Sequence, residues 1–262
     1  MTPIVLSIAG SDSSAGAGIQ ADLKTVAALG GYAATAITAV TAQNTLGVHE
    51  VYPLPPATVA AQITAVLTDL APQAIKIGML PSEAIILQVA DCLQDDAPRS
   101  IVCDPVMIST SGRRLMHEQA IEALQTRLFP LCTLLTPNLQ EAACLLHTSV
   151  NTVEEMEAAA TDLALRYGTS VLLKGGHLEG HYMTDVLYDA SRHTLHRYSS
   201  QKIDTPNLHG TGCTLSSAIA TFLAQGEALP CAVLRAKQYM GEAIERGVHL
   251  HIGHGNGPLG HF

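Results

Sequence analysis

The sequence predicts an α/β fold: a mostly parallel central sheet, helices on both faces and an antiparallel edge, in one domain over residues 1–262. Short β-branched runs alternate with longer amphipathic stretches, 47% of residues are apolar, and polar or Gly-rich residues follow each apolar run. Short apolar strands with little internal polarity are typical of a sheet covered on both sides.

The first strand is "IVLSIAG", and "GIQADLKTVAALG" follows as a helix expected to start near Gly16. The strand "YAATAITAVTA" precedes the helix "ATVAAQITAVLTDL"; "AIKIGM" precedes "EAIILQVADCL"; "SIVCDPVM" precedes "EQAIEALQTRL"; "CTLLTP" precedes "LQEAACLLH". The helix "MEAAATDLALRYG" then leads into "SVLLKGG". Residues 182–198, "YMTDVLYDASRHTLHRY", alternate about "DASRH" and read as a hairpin, hence the antiparallel edge. Two helices follow, "GCTLSSAIATFLAQG" and "LPCAVLRAKQYMGEAIERG". Ligands of such sheets gather beyond the carboxyl ends of the strands. There the chain places "AGSDSSAGAG", "TAQNT", "GML", "DPVM", "TPN" and "KGGH".

Composition removes several classes of function. Charged residues make up 14%, the net charge is −9 and no basic run exists, which argues against a nucleic-acid surface. The start "MTPIVLSIAGSD" reads as a strand rather than a signal peptide, and no apolar run reaches membrane-spanning length. Six cysteines without CxxC pairs point away from zinc and disulfides and toward a reducing cytoplasm. His177, His181, His249, His251 and His254 lack acidic or Cys partners at ligand spacing and read as exposed polar residues.

Two Gly-rich segments stand out. "GSDSSAGAGIQAD" lacks dinucleotide-fingerprint spacing and the Lys of a P-loop, so by itself it is equally a capped turn. "HGTGC" directly precedes a long apolar helix, so Gly210, Thr211, Gly212 and Cys213 would offer successive free N–H groups to an anion, or simply start a helix. The helix N-terminus is expected to lower the Cys213 thiol toward neutrality and suit it as a general base; the alternative is a small buried hydrophobe. Asn138 and Glu141, three apart on a first turn, could hold the water shell of a magnesium ion or form an ordinary helix cap. Lys174, at a strand end before two glycines, either contacts a nucleotide phosphate or snorkels to solvent. The Gln43 amide suits an aminopyrimidine edge and equally a turn.

Taken together, "AGSDSSAGAGIQADLKT", "TAQNT", "KIGML", "DPVM", "TSG", "TPNLQEA", "LLKGGH", "HGTGCTLSSAIA" and "GHGNGPLGHF" resemble the hydroxymethylpyrimidine and phosphomethylpyrimidine kinases of thiamin biosynthesis, in the ribokinase-like superfamily. The likeness spans nearly the whole chain in order. It implies a three-layer α/β sandwich, a homodimer, and phosphorylation by ATP with Mg²⁺ of 4-amino-5-hydroxymethyl-2-methylpyrimidine to its monophosphate and then the diphosphate. By resemblance Gln43 pairs with the pyrimidine, and Gly10, Asp22, Met79 and Val106 complete the pocket. Cys213 stands where sugar kinases of the superfamily carry a catalytic Asp, and Gly210, Thr211 and Gly212 form the anion hole. Lys174 reaches the ATP phosphates, with Thr211, Gly212 and Asn138 beside the nucleotide, while Asn138, Glu141 and Asp104 organise the magnesium. Cys213 is expected to take the hydroxymethyl proton in the first step; a phosphate nucleophile, with a second pKa of about 6, needs no base in the second.

Two other readings remain. Pyridoxal kinases of the same branch tend to carry a second cysteine after "DPVM"; here the loop is "ISTSGRRLM", with Ser109, Thr110 and Ser111 and no thiol, which favours the pyrimidine. Arg113 departs from the acidic residue often found there. A non-catalytic pyrimidine-binding regulator would keep the fold without the chemistry, yet Lys174, Glu141, the Gly-rich anion site and Cys213 are all present.

Overall fold

A computed structural model describes residues 2–94, 100–107, 116–176 and 181–262. From the N-terminus come β1 (Ile4–Asp12), α1 (Gly18–Ala28), β2 (Tyr32–Asn44), β3 (Gly47–Pro53), α2 (Pro56–Leu70), β4 (Ala74–Ile77), α3 (Glu83–Leu93) and β5 (Ser100–Cys103). They are followed by α4 (Glu118–Ala123), β6 (Leu134–Leu135), α5 (Leu139–Leu146), α6 (Val153–Tyr167) and β7 (Ser170–Leu173). The last elements are β8 (Tyr182–Asp189), β9 (Thr194–Gln201), α7 (Thr211–Ala224) and α8 (Leu229–Gly247). The expected start of α1 near Gly16 is displaced to Gly18 because Asp12 folds residues 14 to 17 into a turn of their own.

The strands form one sheet in the order β3-β2-β1-β4-β5-β6-β7-β8-β9, parallel from β2 through β7. The β8–β9 hairpin makes the expected antiparallel edge. The opposite edge is antiparallel as well, since β3 pairs with β2 from Gly47 to Pro53. Its sequence carries no inward apolar set, because all seven residues are exposed, and so no periodicity announces it. Along β1 the faces alternate: Leu6 and Ile8 pack toward α2, α3 and α6, whereas Val5 packs toward α7 and α8. Helix α7 is buried without a break from Thr214 to Phe222, between the sheet and the helices α1 and α8, which explains its lack of a polar face.

One feature of this inner layer is ionic. Lys76, in the middle of β4, is wholly buried; its Nζ donates to both Asp22 oxygens at 2.8 and 2.9 Å. Ser7 of β1 and Ser217 of α7 donate to the same carboxylate at 2.5 and 2.7 Å. Burial pushes the Lys76 ammonium down, but Asp22 outweighs it and the group stays charged. Three elements thus converge on one carboxylate carried by α1. Lys76→Met would strand that charge, and an unfolding free-energy loss of about 3–5 kcal/mol is expected by urea denaturation. A loss below about 1 kcal/mol would mean that the two serines suffice to hold Asp22.

Candidate active site

The two Gly-rich segments meet beyond the carboxyl end of β1. Asp12 organises the first: Oδ1 accepts from Ser14 N and Oγ at 2.8 and 2.7 Å, and Oδ2 accepts from Ala17 N at 2.8 Å and Gly16 N at 3.1 Å. Burial pushes its carboxyl up, but His209, Ser14 and the backbone N–H of Ala17 outweigh this and hold it well below the usual range. Gly210 sits at φ +89°, and a Cβ there would fall 2.0 Å from the Gly16 carbonyl oxygen, so only glycine lets the loops touch.

Helix α7 starts from this contact without a side-chain cap. The expected row of free N–H groups loses Thr211, whose N–H donates to Leu208 O at 3.3 Å, and keeps those of Gly210, Gly212 and Cys213. Gly212 faces the charged groups: a Cβ on it would lie 3.0 Å from Asp104 Oδ2 and 3.6 Å from Lys174 Nζ. Lys174 Nζ donates to Asp104 Oδ1 at 2.7 Å and is only 17% exposed. Thus the start of α7 at Gly212 is brought together with Asp104 and Lys174, which follow the ends of β5 and β7.

Cys213, half-buried on the same turn, departs from expectation. Burial pushes its thiol up, and the Asp22 and Asp104 carboxylates add to this; Lys76 and the Gly18 N–H work the other way without prevailing. The thiol is therefore not preset as a thiolate by the helix.

Asn138 and Glu141 form a capping box: Asn138 Oδ1 accepts from Glu141 N, and Glu141 Oε2 accepts from Asn138 N, each at 2.8 Å. Glu141 Oε1 accepts from Met107 N at 3.4 Å. Both residues are thus engaged with backbone, and among the described residues no group of three or more His, Cys, Asp or Glu forms a metal cage. The carboxylates of Asp104 and Glu141 are hard oxygen donors of the kind that suit a magnesium ion or its waters.

Among the residues expected around the pyrimidine, Met79 folds over Gly10, its Cε 2.5 Å from where a Cβ would be. Val106 is half-buried in the tight "DPVM" turn. Asp22, expected in the pocket, is wholly buried with Lys76, Ser7 and Ser217 and supports the floor from beneath. The Gln43 backbone is clamped on both sides by Ser13 Oγ, at 2.7 and 2.8 Å, and its amide faces His209. His209 and Lys76 carry no sequence signature of a role, except that a lysine interrupts the apolar run "AIKI". Residues 253–257 close the arrangement: Asn256 N donates to Thr45 O and His209 N to Gly257 O. Ser109, Thr110, Ser111, Arg113 and His177 lie outside the described residues.

Burial pushes Glu141 up to about 7, with Asp104 adding and Lys174 opposing. The folded protein therefore holds a proton that the unfolded chain releases near 4.5, so stability falls as pH rises from 4.5 to about 7. Glu141→Gln keeps the capping box and removes this titration. Wild-type stability relative to the variant should decline by on the order of 3 kcal/mol across that window, by urea denaturation without nucleotide. A difference independent of pH would mean that Glu141 is ionised throughout.

The family model described as "Phosphomethylpyrimidine kinase" matches residues 12–260. The hydroxymethylpyrimidine/phosphomethylpyrimidine kinase of Rhizobium meliloti is 48% identical over 100% of this chain and 98% of its own length. The thiamine biosynthesis bifunctional protein ThiED of Geobacter sulfurreducens is 46% identical over 98% of this chain, which spans 52% of that longer protein. Among solved structures, the phosphomethylpyrimidine kinase of Clostridium difficile superposes with a TM-score of 0.83 at 42% identity, covering 93% of this chain and all of that one. An ADP complex of Bacillus subtilis pyridoxal kinase superposes at 0.91 with 35% identity, over 100% of this chain and 98% of that one. With a matching model over most of its length and full-length relatives near half identity, the chain belongs to the phosphomethylpyrimidine kinase family, on a ribokinase-like fold.

Proposed function

We propose that this protein transfers the γ-phosphoryl group of ATP to the hydroxymethyl oxygen of 4-amino-5-hydroxymethyl-2-methylpyrimidine, and then a second one to the monophosphate, in thiamine biosynthesis. The observation that carries this reading is the meeting of the bare α7 N-terminus at Gly212 with Lys174 and Asp104. Phosphoryl transfer asks chiefly for in-line positioning and for stabilisation of charge on the transferring oxygens. The N–H groups of Gly212 and Cys213, at the positive end of a buried helix, supply fixed donors, each worth about 3 kcal/mol where the charge develops. The αL turn at Gly210 aims them, with Thr211 tied back to Leu208.

Lys174 neutralises the ATP phosphates, exchanging its contact with Asp104 for them. Bound with the nucleotide, magnesium supplies charge neutralisation on the phosphate oxygens. Asp104 and Glu141 would hold its waters, with Asn138 fixing Glu141 in place. Gln43 reads the pyrimidine edge; Gly10, Met79 and Val106 surround the ring. The homodimer suits the exposed apolar side chains of the β2–β3 edge, including Leu46 (68% exposed) and Tyr52 (62% exposed). Six free thiols fit a reducing cytoplasm, and among the described residues no helix is long and apolar enough to cross a membrane.

Product analysis by mass spectrometry, with Mg-ATP and in parallel the hydroxymethylpyrimidine, its monophosphate and pyridoxal, tests the reading. Mono- and diphosphate from the pyrimidine support it. Pyridoxal phosphate alone would favour the second reading, a pyridoxal kinase, which the closer superposition on such enzymes recommends. No product from any of them would leave a binding protein.

Cys213 serves as base in the first transfer only. Because burial holds the thiol up, the first-step rate should climb with pH between about 7 and 9 as the thiolate fraction grows, while the second stays flat. Cys213→Ala should lower kcat of the first step about 100-fold or more and remove its pH slope, with less than about three-fold effect on the second. Equal losses in both steps would exclude the thiol as base.

A further inference from the structure

The amide of Gln43 has a partner whose protons decide which way it points. His209 Nε2 lies 2.9 Å from Asp12 Oδ2 and 3.1 Å from Gln43 Nε2. On the other flank, Thr41 Oγ1 lies 3.0 Å from the Ser11 carbonyl oxygen and 3.3 Å from Gln43 Oε1. The ring is held in place, since a Cβ on Gly16 would meet its Cδ2 at 2.3 Å.

Asp12 stays ionised and can only accept, so the proton belongs on His209 Nε2. An N–H there cannot accept from an amide nitrogen. Thr41 has a single hydroxyl proton, and the Ser11 carbonyl, the nearer acceptor, takes it; none is left for Gln43 Oε1. Both conflicts vanish when the Gln43 amide makes a half-turn, exchanging its nitrogen and oxygen. His209 Nε2–H is then shared between Asp12 and Gln43 Oε1, the Gln43 NH₂ donates to Thr41 Oγ1, and Thr41 donates to Ser11. No donor then faces a donor, and one Gln43 N–H stays free.

We infer that His209 is a positioning residue for substrate recognition, turning the Gln43 amide so that its oxygen faces the imidazole and its NH₂ faces Thr41. This rests on the reading of Gln43 given above. Locked in this way, the amide keeps one N–H and one oxygen lone pair on its free edge in a fixed order. That edge complements a 4-aminopyrimidine, whose exocyclic amine donates and whose adjacent ring nitrogen accepts. A 4-oxo pyrimidine presents the reverse order, which an amide free to turn would accept about as well and a locked one rejects. The Asp12–His209 pair therefore selects the amino form without touching the substrate.

The test compares kcat/KM for the 4-amino substrate and its 4-oxo counterpart, with the KM for ATP measured alongside and folding checked by thermal melting. His209→Leu should lower the amino-over-oxo ratio about ten-fold or more and raise the pyrimidine KM, leaving the ATP KM within about two-fold. His209→Gln, which keeps an N–H near the same place, should recover most of the ratio, and Thr41→Val, which removes the acceptor on the other flank, should lower it. If His209→Leu does not fold, the other two variants decide. Unchanged discrimination in His209→Leu or Thr41→Val, or a His209→Gln as indiscriminate as His209→Leu, would overturn the inference while the kinase assignment stands. Wild-type protein that turns over neither pyrimidine would remove both.

Discussion

The loops of the candidate site rest on an ion pair that is wholly buried beneath them. Lys76 on β4 and Asp22 on α1, joined by Ser7 of β1 and Ser217 of α7, set how deeply two helices sit on the sheet. Both helices begin in the active-site loops with bare backbone rather than side-chain caps. Their depth therefore sets where those N–H groups stand. Apolar packing alone is tolerant of small slides, whereas an ammonium and a carboxylate out of water demand matched geometry, since each is strongly unfavourable there without the other.

Above that pair, contact is made by backbone. A Cβ at Gly18 would lie 2.4 Å from the Gly10 carbonyl oxygen, and one at Gly210 would lie 2.0 Å from that of Gly16. Much of the polar side-chain chemistry nearby serves to hold this backbone in place. Asp12 ties down a turn, Asn138 and Glu141 cap a helix, and Ser13 clamps Gln43. Few side chains are left to act on a substrate, which suits a reaction whose barrier yields to positioning and fixed donors.

The fold does not select the substrate. A pyridoxal kinase superposes on this chain at a TM-score of 0.91, above the 0.83 of a phosphomethylpyrimidine kinase that is more similar in sequence. Both share the overall fold, so substrate discrimination falls to the side chains around the ligand. With Gln43 in its proposed role, the donor and acceptor order of its amide is one such feature, and it is governed by residues far apart in the chain: Asp12, Thr41 and His209.

The layered α/β class, the central parallel strands, the β8–β9 hairpin and the motifs after strand ends are all legible in the chain read residue by residue. These follow from periodicity and local turn chemistry, which are written in neighbouring residues. The motif set also carried the family. The contacts those motif residues make arise only in the folded chain. The β3 edge escaped notice because its exposed residues leave no pattern, and the rise of the Cys213 thiol comes from burial and from carboxylates on other elements. Asn138 and Glu141, open to two readings at three-residue spacing, are seen capping a helix. Lys76 and His209 gained their partners across 54 and 197 positions of chain. Electrostatic environment and hydrogen-bond partnership depend on distance in space, and only the folded sheet brings those residues close.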